Sequence, residues 1–158
     1  MSNITSYEGK LYYYIKGEMS RQQLYTADGL FCISTDNGHV YYHRYSLCQK
    51  LKILRNYITE YPNITGATID KITTGHLELL LGYTDNLKQP SSREEWVVLL
   101  RLADRFILAE RFSQILKIQV EEYLRHQEYQ QSIKQLTFIQ IAEIIDNLCN
   151  LDRSSIVS

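Results

Sequence analysis

A chain of 158 residues, 44% hydrophobic and 22% charged, is the length of one ordinary domain, and such a chain buries about 68–70% of the surface its unfolded form exposes. A formal net charge of -1 supplies no field that would draw it to a phosphate backbone or an anionic bilayer, so neither nucleic acid nor membrane is an expected partner. The longest apolar stretches are broken by charge, as where Arg101, Asp104 and Arg105 interrupt the run from Trp96 to Leu108, which excludes a transmembrane helix.

The first residues carry no basic segment followed by an apolar core and a small-residue cleavage site, so the expected location is the cytoplasm, with the nucleus also open. Three cysteines, an odd number, fit a reducing compartment. In residues 1 to 28, Leu11, Tyr13 and Ile15 alternate like a strand while Gly17 to Leu24 suits a short helix, and the pattern does not decide between them. Two apolar runs, Leu30 to Ser34 and His39 to Tyr42, flank Asp36-Asn37-Gly38 and predict a β-hairpin. Leu47, Lys50, Leu51, Leu54 and Ile58 recur at spacings of three and four until Tyr61-Pro62-Asn63, which predicts one or two short helices over residues 43 to 60. Gly66 to Ile72 is β-branched and short, as a third strand would be. An apolar helix follows through Leu77, Leu80, Leu81 and Tyr83, closed by Asp85-Asn86.

The sharpest local signal is Pro90-Ser91-Ser92-Arg93-Glu94-Glu95, where a serine followed three residues later by a glutamate makes a reciprocal cap that marks a helix start. Trp96, Leu99, Leu100, Ala103, Phe106 and Ile107 form one stripe of helical period. After a break near Ala109, residues Phe112, Ile115, Leu116, Gln119, Val120, Tyr123 and Leu124 form another, so two helices pack as a hairpin. A last helix is expected between Ser132 and Cys149, its apolar side made by Leu136, Ile139, Ala142, Ile145 and Leu148. Strands first and helices after predict an α+β fold, a small mixed three-stranded sheet covered by a cluster of helices.

His76 to Leu87, with its Tyr83-Thr84 turn, and then Leu99-Leu100-Arg101-Leu102-Ala103-Asp104-Arg105-Phe106 resemble the central signature of the BTB/POZ domain family. Val40-Tyr41-Tyr42-His43-Arg44-Tyr45-Ser46-Leu47 is similar to that family's second strand and the helix after it, and Glu121-Glu122-Tyr123-Leu124 to the end of its last helix. The likeness covers about residues 28 to 125. It implies a BTB/POZ domain over 28–126, an N-terminal segment over 1–27 that serves dimerisation, and a helical extension over 127–158 in the place of the family's three-box.

That resemblance implies an adaptor and not an enzyme: a homodimer that binds cullin-3 in a ubiquitin ligase, either delivering a substrate protein of unknown identity or competing with proteins that do. Its site residues would be Ile58 and Glu60, which match an apolar-x-Glu cullin motif, with Leu136 and Ile139 in the extension. Asp28 and Arg44 would be the paired acid and base of a charged pocket near the dimer seam. A purely structural oligomerisation module without cullin binding is the alternative.

Bland readings stand beside these. Ile58 suits ordinary helix core, the stripe after Ser132 suits packing on a neighbouring helix, and Asp28 and Arg44 suit two solvated charges. Cys32, His39, His43 and Cys48 fall close together, but their spacing fits no closed ligand pattern, so no metal and no cofactor is expected. His43 reads better as a core histidine whose ring bonds a backbone carbonyl. Neither a Gly-rich phosphate loop nor a nucleophile elbow appears.

Overall fold

The computed structural model describes residues 29 to 157, with side chains as far as Leu148. The described chain divides between Lys88 and Gln89 into two compact units.

The first unit is built on a hairpin of β1 (Leu30–Thr35) and β2 (Gly38–His43), paired antiparallel from Leu30↔His43 to Thr35↔Gly38. Because side chains alternate along a strand, Phe31, Ile33, Val40 and Tyr42 share one face, and all four are fully buried. The tight turn is held from outside: Asp36 accepts from the Lys71 N–H at 3.2 Å and Asn37 from the Thr74 N–H at 2.9 Å.

The chain then enters α1 (Arg44–Lys50), breaks at Leu51, and continues as α2 (Lys52–Glu60). Leu51 has an extended backbone yet is fully buried, so the break turns one amphipathic segment into two that present Leu47, Leu51, Leu54 and Ile58 inward. Strand β3 (Gly66–Thr68) lies parallel to β1, giving the order β2-β1-β3. It is shorter than the expected Gly66 to Ile72: the ladder ends at Thr68, and the chain bends at Asp70 and Lys71, the latter with a left-handed backbone (φ 57°). Hydrogen bonding to β1 nevertheless persists past its end, from the Ile69 N–H to Ser34 O at 2.9 Å and from the Asp36 N–H to Ile72 O at 3.0 Å. Gly66 is required by close approach: a Cβ there would lie 2.6 Å from the Cys32 carbonyl oxygen of β1. The unit closes with α3 (Thr74–Asn86), capped by Thr73 and stopped by Leu87 in a left-handed conformation.

The second unit is helical. In α4 (Arg93–Arg105) the Ser92 hydroxyl accepts from the Glu95 N–H at 3.2 Å, while the Glu95 carboxylate turns back to Ser91, accepting from its N–H at 2.8 Å. Helix α5 (Glu110–His126) lays Tyr123 against Trp96 of α4, ring centres 5.1 Å apart, as the expected helical hairpin requires. The last helix, α6 (Phe138–Val157), begins six residues later than the expected Ser132, where Thr137 and Gln140 form a reciprocal cap: each backbone N–H is bonded by the other's side chain, at 2.9 and 3.2 Å. It packs on α4 through Ile141, Ala142 and Ile145, all buried, and an exposed ion pair between Arg101 and Asp146 at 2.7 Å lies across that contact. Six helices and one three-stranded sheet make up the described residues, an α+β architecture.

Candidate partner-binding surfaces

In the first unit the residues after β2 define one surface. His43 is the N-cap of α1: its Nδ1 accepts from the Ser46 N–H at 3.5 Å, which needs that nitrogen bare. The expected bond from its ring to a backbone carbonyl is thus replaced by the opposite role, acceptor to a helix start. Arg44 spends its guanidinium on the loop before β3, donating to the carbonyl oxygen of Ile64 at 2.6 Å and to that of Pro62. Asp28, its expected partner, lies outside the described residues.

On α2 the expected pair separates. Ile58 is 6% exposed and belongs to the buried face, so it does not present the exposed apolar anchor that the motif reading needs. Its position one turn beyond Leu54 on the inward stripe is the reason. Glu60 is exposed. The apolar side chains that do reach solvent near it are Ile53 at 41%, Tyr57 at 40% and Tyr61 at 49%, four residues apart each, with the two tyrosine rings edge-on at 5.3 Å.

Beneath α1 sits a buried polar cluster. Lys50 is 7% exposed and donates to Asp85 Oδ1 at 2.5 Å and to the Tyr42 hydroxyl, which in turn donates to Asp85 at 2.6 Å. Burial first, and the Asp85 carboxylate second, push the Tyr42 phenol far above its ordinary range, so it serves as a permanent donor. The cluster joins β2, α1 and α3 at once.

The second unit carries a groove of ≈ 350 Å³ at the α4–α5 corner and the start of α6. Ala103, Ile107, Leu108 and Phe138 give it an apolar lining, with Asp104, Glu110 and Lys117 around them. Lys117 is held in place by donating to Lys134 O at 3.2 Å and lying 5.8 Å above the Phe138 ring. The corner is a Schellman turn: Leu108 N–H reaches Ala103 O at 3.0 Å and Ile107 N–H reaches Asp104 O at 3.3 Å. Ile107 occupies its left-handed position (φ 53°), where glycine is favoured and a β-branched residue is strained by about 1–2 kcal/mol. The sequence pattern put Ile107 in the helical stripe that begins at Trp96. It is instead 45% exposed at the groove, because the turn rotates it out of the helical register. Of the two extension residues, Leu136 precedes α6 and is half-buried, while Ile139 is 36% exposed. Neither lines the groove, whose extension residues are Thr137 and Phe138.

Cys32 and His39 stand 3.9 Å apart, with Ser34 Oγ 2.9 Å from the same His39 nitrogen, while His43 is engaged in capping. No group of three or more metal-ligating side chains assembles among the described residues. Burial pushes both the Cys32 and Cys48 thiols up, away from the reactive thiolate. No helix of the described residues is long and apolar enough to cross a membrane.

A scan against protein-family models, a search of curated proteins and a search of solved structures each return no match for this chain. The reading of its role therefore rests on the surfaces themselves. Sequence reasoning missed Ile107 and the Lys50–Asp85 pair. The first carries a faint signal, since Phe106-Ile107 directly follows a helical stripe where a glycine stop would be normal; the second carries none, because its members are 35 residues apart.

Proposed function

We propose that this chain is a protein–protein interaction module of the BTB/POZ type, a non-enzymatic adaptor. The particular role is docking on a cullin-3-type ligase scaffold as a homodimer, to deliver a substrate protein or to compete with proteins that do. The observation that supports it most is Ile107: a left-handed, half-exposed isoleucine at an apolar groove, where strain kept at an exposed apolar position points to use by a partner. The groove suits an extended apolar segment of that partner, and Phe138 ties it to the helical extension that the resemblance singles out. The exposed face of α2, with Glu60 beside Tyr57 and Tyr61, is a separate candidate contact in place of Ile58.

The test is calorimetric binding of the full chain to the N-terminal region of cullin-3. Wild type should bind, and Ile107→Asp should lose at least tenfold in affinity with the far-UV spectrum retained, because a desolvated isoleucine anchor contributes about 1.5–3 kcal/mol. No binding by wild type, with a dimer still present by light scattering, would leave the chain a structural oligomeriser and end the cullin reading. A reconstituted ligase separates the two roles: a competitor lowers ubiquitination of a known substrate, and a delivering adaptor for that substrate raises it.

A further inference from the structure

Three tyrosines of the described residues are exposed, Tyr45 at 66%, Tyr57 at 40% and Tyr61 at 49%. Tyr45 and Tyr57 lie inside α1 and α2 with helix on both sides, so neither is followed by an exposed turn that a reader could engage. Tyr61 is the first residue past α2. It opens a β-turn, Tyr61-Pro62-Asn63-Ile64, closed by the Ile64 N–H bonding Tyr61 O at 3.2 Å. Proline at the second position and asparagine at the third are residues such a turn prefers. From beneath, Arg44 donates to the carbonyl oxygens of Pro62 and Ile64. Those bonds fix the backbone of the turn, while Tyr61, Pro62 and Asn63 remain exposed.

We propose that Tyr61 is a phosphorylation site, and that the modified turn, a phosphotyrosine with a carboxamide two residues on, is read by an SH2-type module. In the modifying step the bond between the γ-phosphorus of ATP and its bridging oxygen breaks and one from Tyr61 Oη to that phosphorus forms. The phenolic proton passes to the kinase's base, and ADP leaves. The product carries about −1.5 to −2 charge at the negative end of α2 and next to Glu60, an unfavourable place until a basic pocket neutralises it. That repulsion favours capture by a cationic reader. The turn is formed before binding, so little ordering is needed when the reader arrives. The proposal goes beyond the adaptor reading and stands whether or not a cullin binds.

The test treats the full chain with ATP, Mg²⁺ and a broad-specificity non-receptor tyrosine kinase, then maps phosphate by mass spectrometry. The treated chain is titrated with an isolated SH2 domain that selects asparagine two residues after phosphotyrosine. Phosphate is expected on Tyr61. Binding should vanish in Tyr61→Phe and weaken at least tenfold in Asn63→Ala, both variants keeping the wild-type circular dichroism spectrum. Absence of phosphate from Tyr61 overturns the proposal, whether other tyrosines are modified or none is. So does binding that is indifferent to Asn63→Ala.

Discussion

Replacing Asp85 by alanine strands a buried ammonium. Lys50 Nζ lies 2.5 Å from Asp85 Oδ1, with the two side chains only 9% and 16% exposed, so solvent screens the pair weakly. Removing one member of such a pair costs about 3–5 kcal/mol, since the other charge stays behind without its counter-ion. The slight exposure of Asp85 lets water reach the vacated place and favours the lower end, about 3 kcal/mol, within which the Tyr42 hydroxyl also loses its acceptor. At roughly 2–4 °C of Tm per kcal/mol for a chain of this size, the loss is about 6–12 °C. The double variant Lys50→Met, Asp85→Leu removes both charges and should recover at least about 2 kcal/mol of that loss, because the desolvation cost goes with them. Urea denaturation followed by circular dichroism measures all three proteins. If Asp85→Ala costs less than about 1 kcal/mol, or the double variant is no more stable than the single, the cluster is not the buried ion pair described here.

Ile107→Asn should leave stability within about 1 kcal/mol of wild type, because relief of left-handed strain offsets the lost burial, whereas partner affinity should fall at least tenfold; a stability loss above about 2 kcal/mol in chemical denaturation would show Ile107 to be a core residue. Gly66→Ala should cost about 1–3 kcal/mol, since the methyl meets the Cys32 carbonyl of the neighbouring strand and the backbone must shift; a neutral result by thermal melting would refute that strand contact. Alkali should unfold the protein through its buried phenols. Burial raises Tyr83 from 10.0 to about 12 and raises Tyr42 further, so the unfolded state loses these protons first. Stability is then full below pH 10 and falls by about 1.4 kcal/mol per pH unit per phenol as pH rises above it. Tyr42→Phe, compared with wild type between pH 10 and 12, should lessen the slope, and an unchanged slope contradicts the burial argument.

Much of the secondary structure is legible without coordinates, because it depends on periods that a single segment carries. The alternation about Asp36-Asn37 specifies the hairpin and puts Phe31, Ile33, Val40 and Tyr42 on one face. The stripe from Trp96 and the serine cap before it specify α4, and the stripe from Phe112 specifies α5. Residues next to an element's end are less legible, since periodicity says which face a side chain takes only while the helix continues. Ile107 leaves the core because the chain turns left-handed one residue past the cap, and Leu136 precedes α6 because Thr137 and Gln140 close the helix start behind it.

The linear order of residues determined the α+β class, the helical hairpin and the weakness of any long-range charge field, all properties of composition or of local repeat. Tertiary structure alone decided that Arg44 serves the turn before β3 and that Lys50 meets Asp85. These depend on which surfaces meet after folding. Burial and charge pairing are relations between segments far apart in the chain, and no period within one segment encodes them.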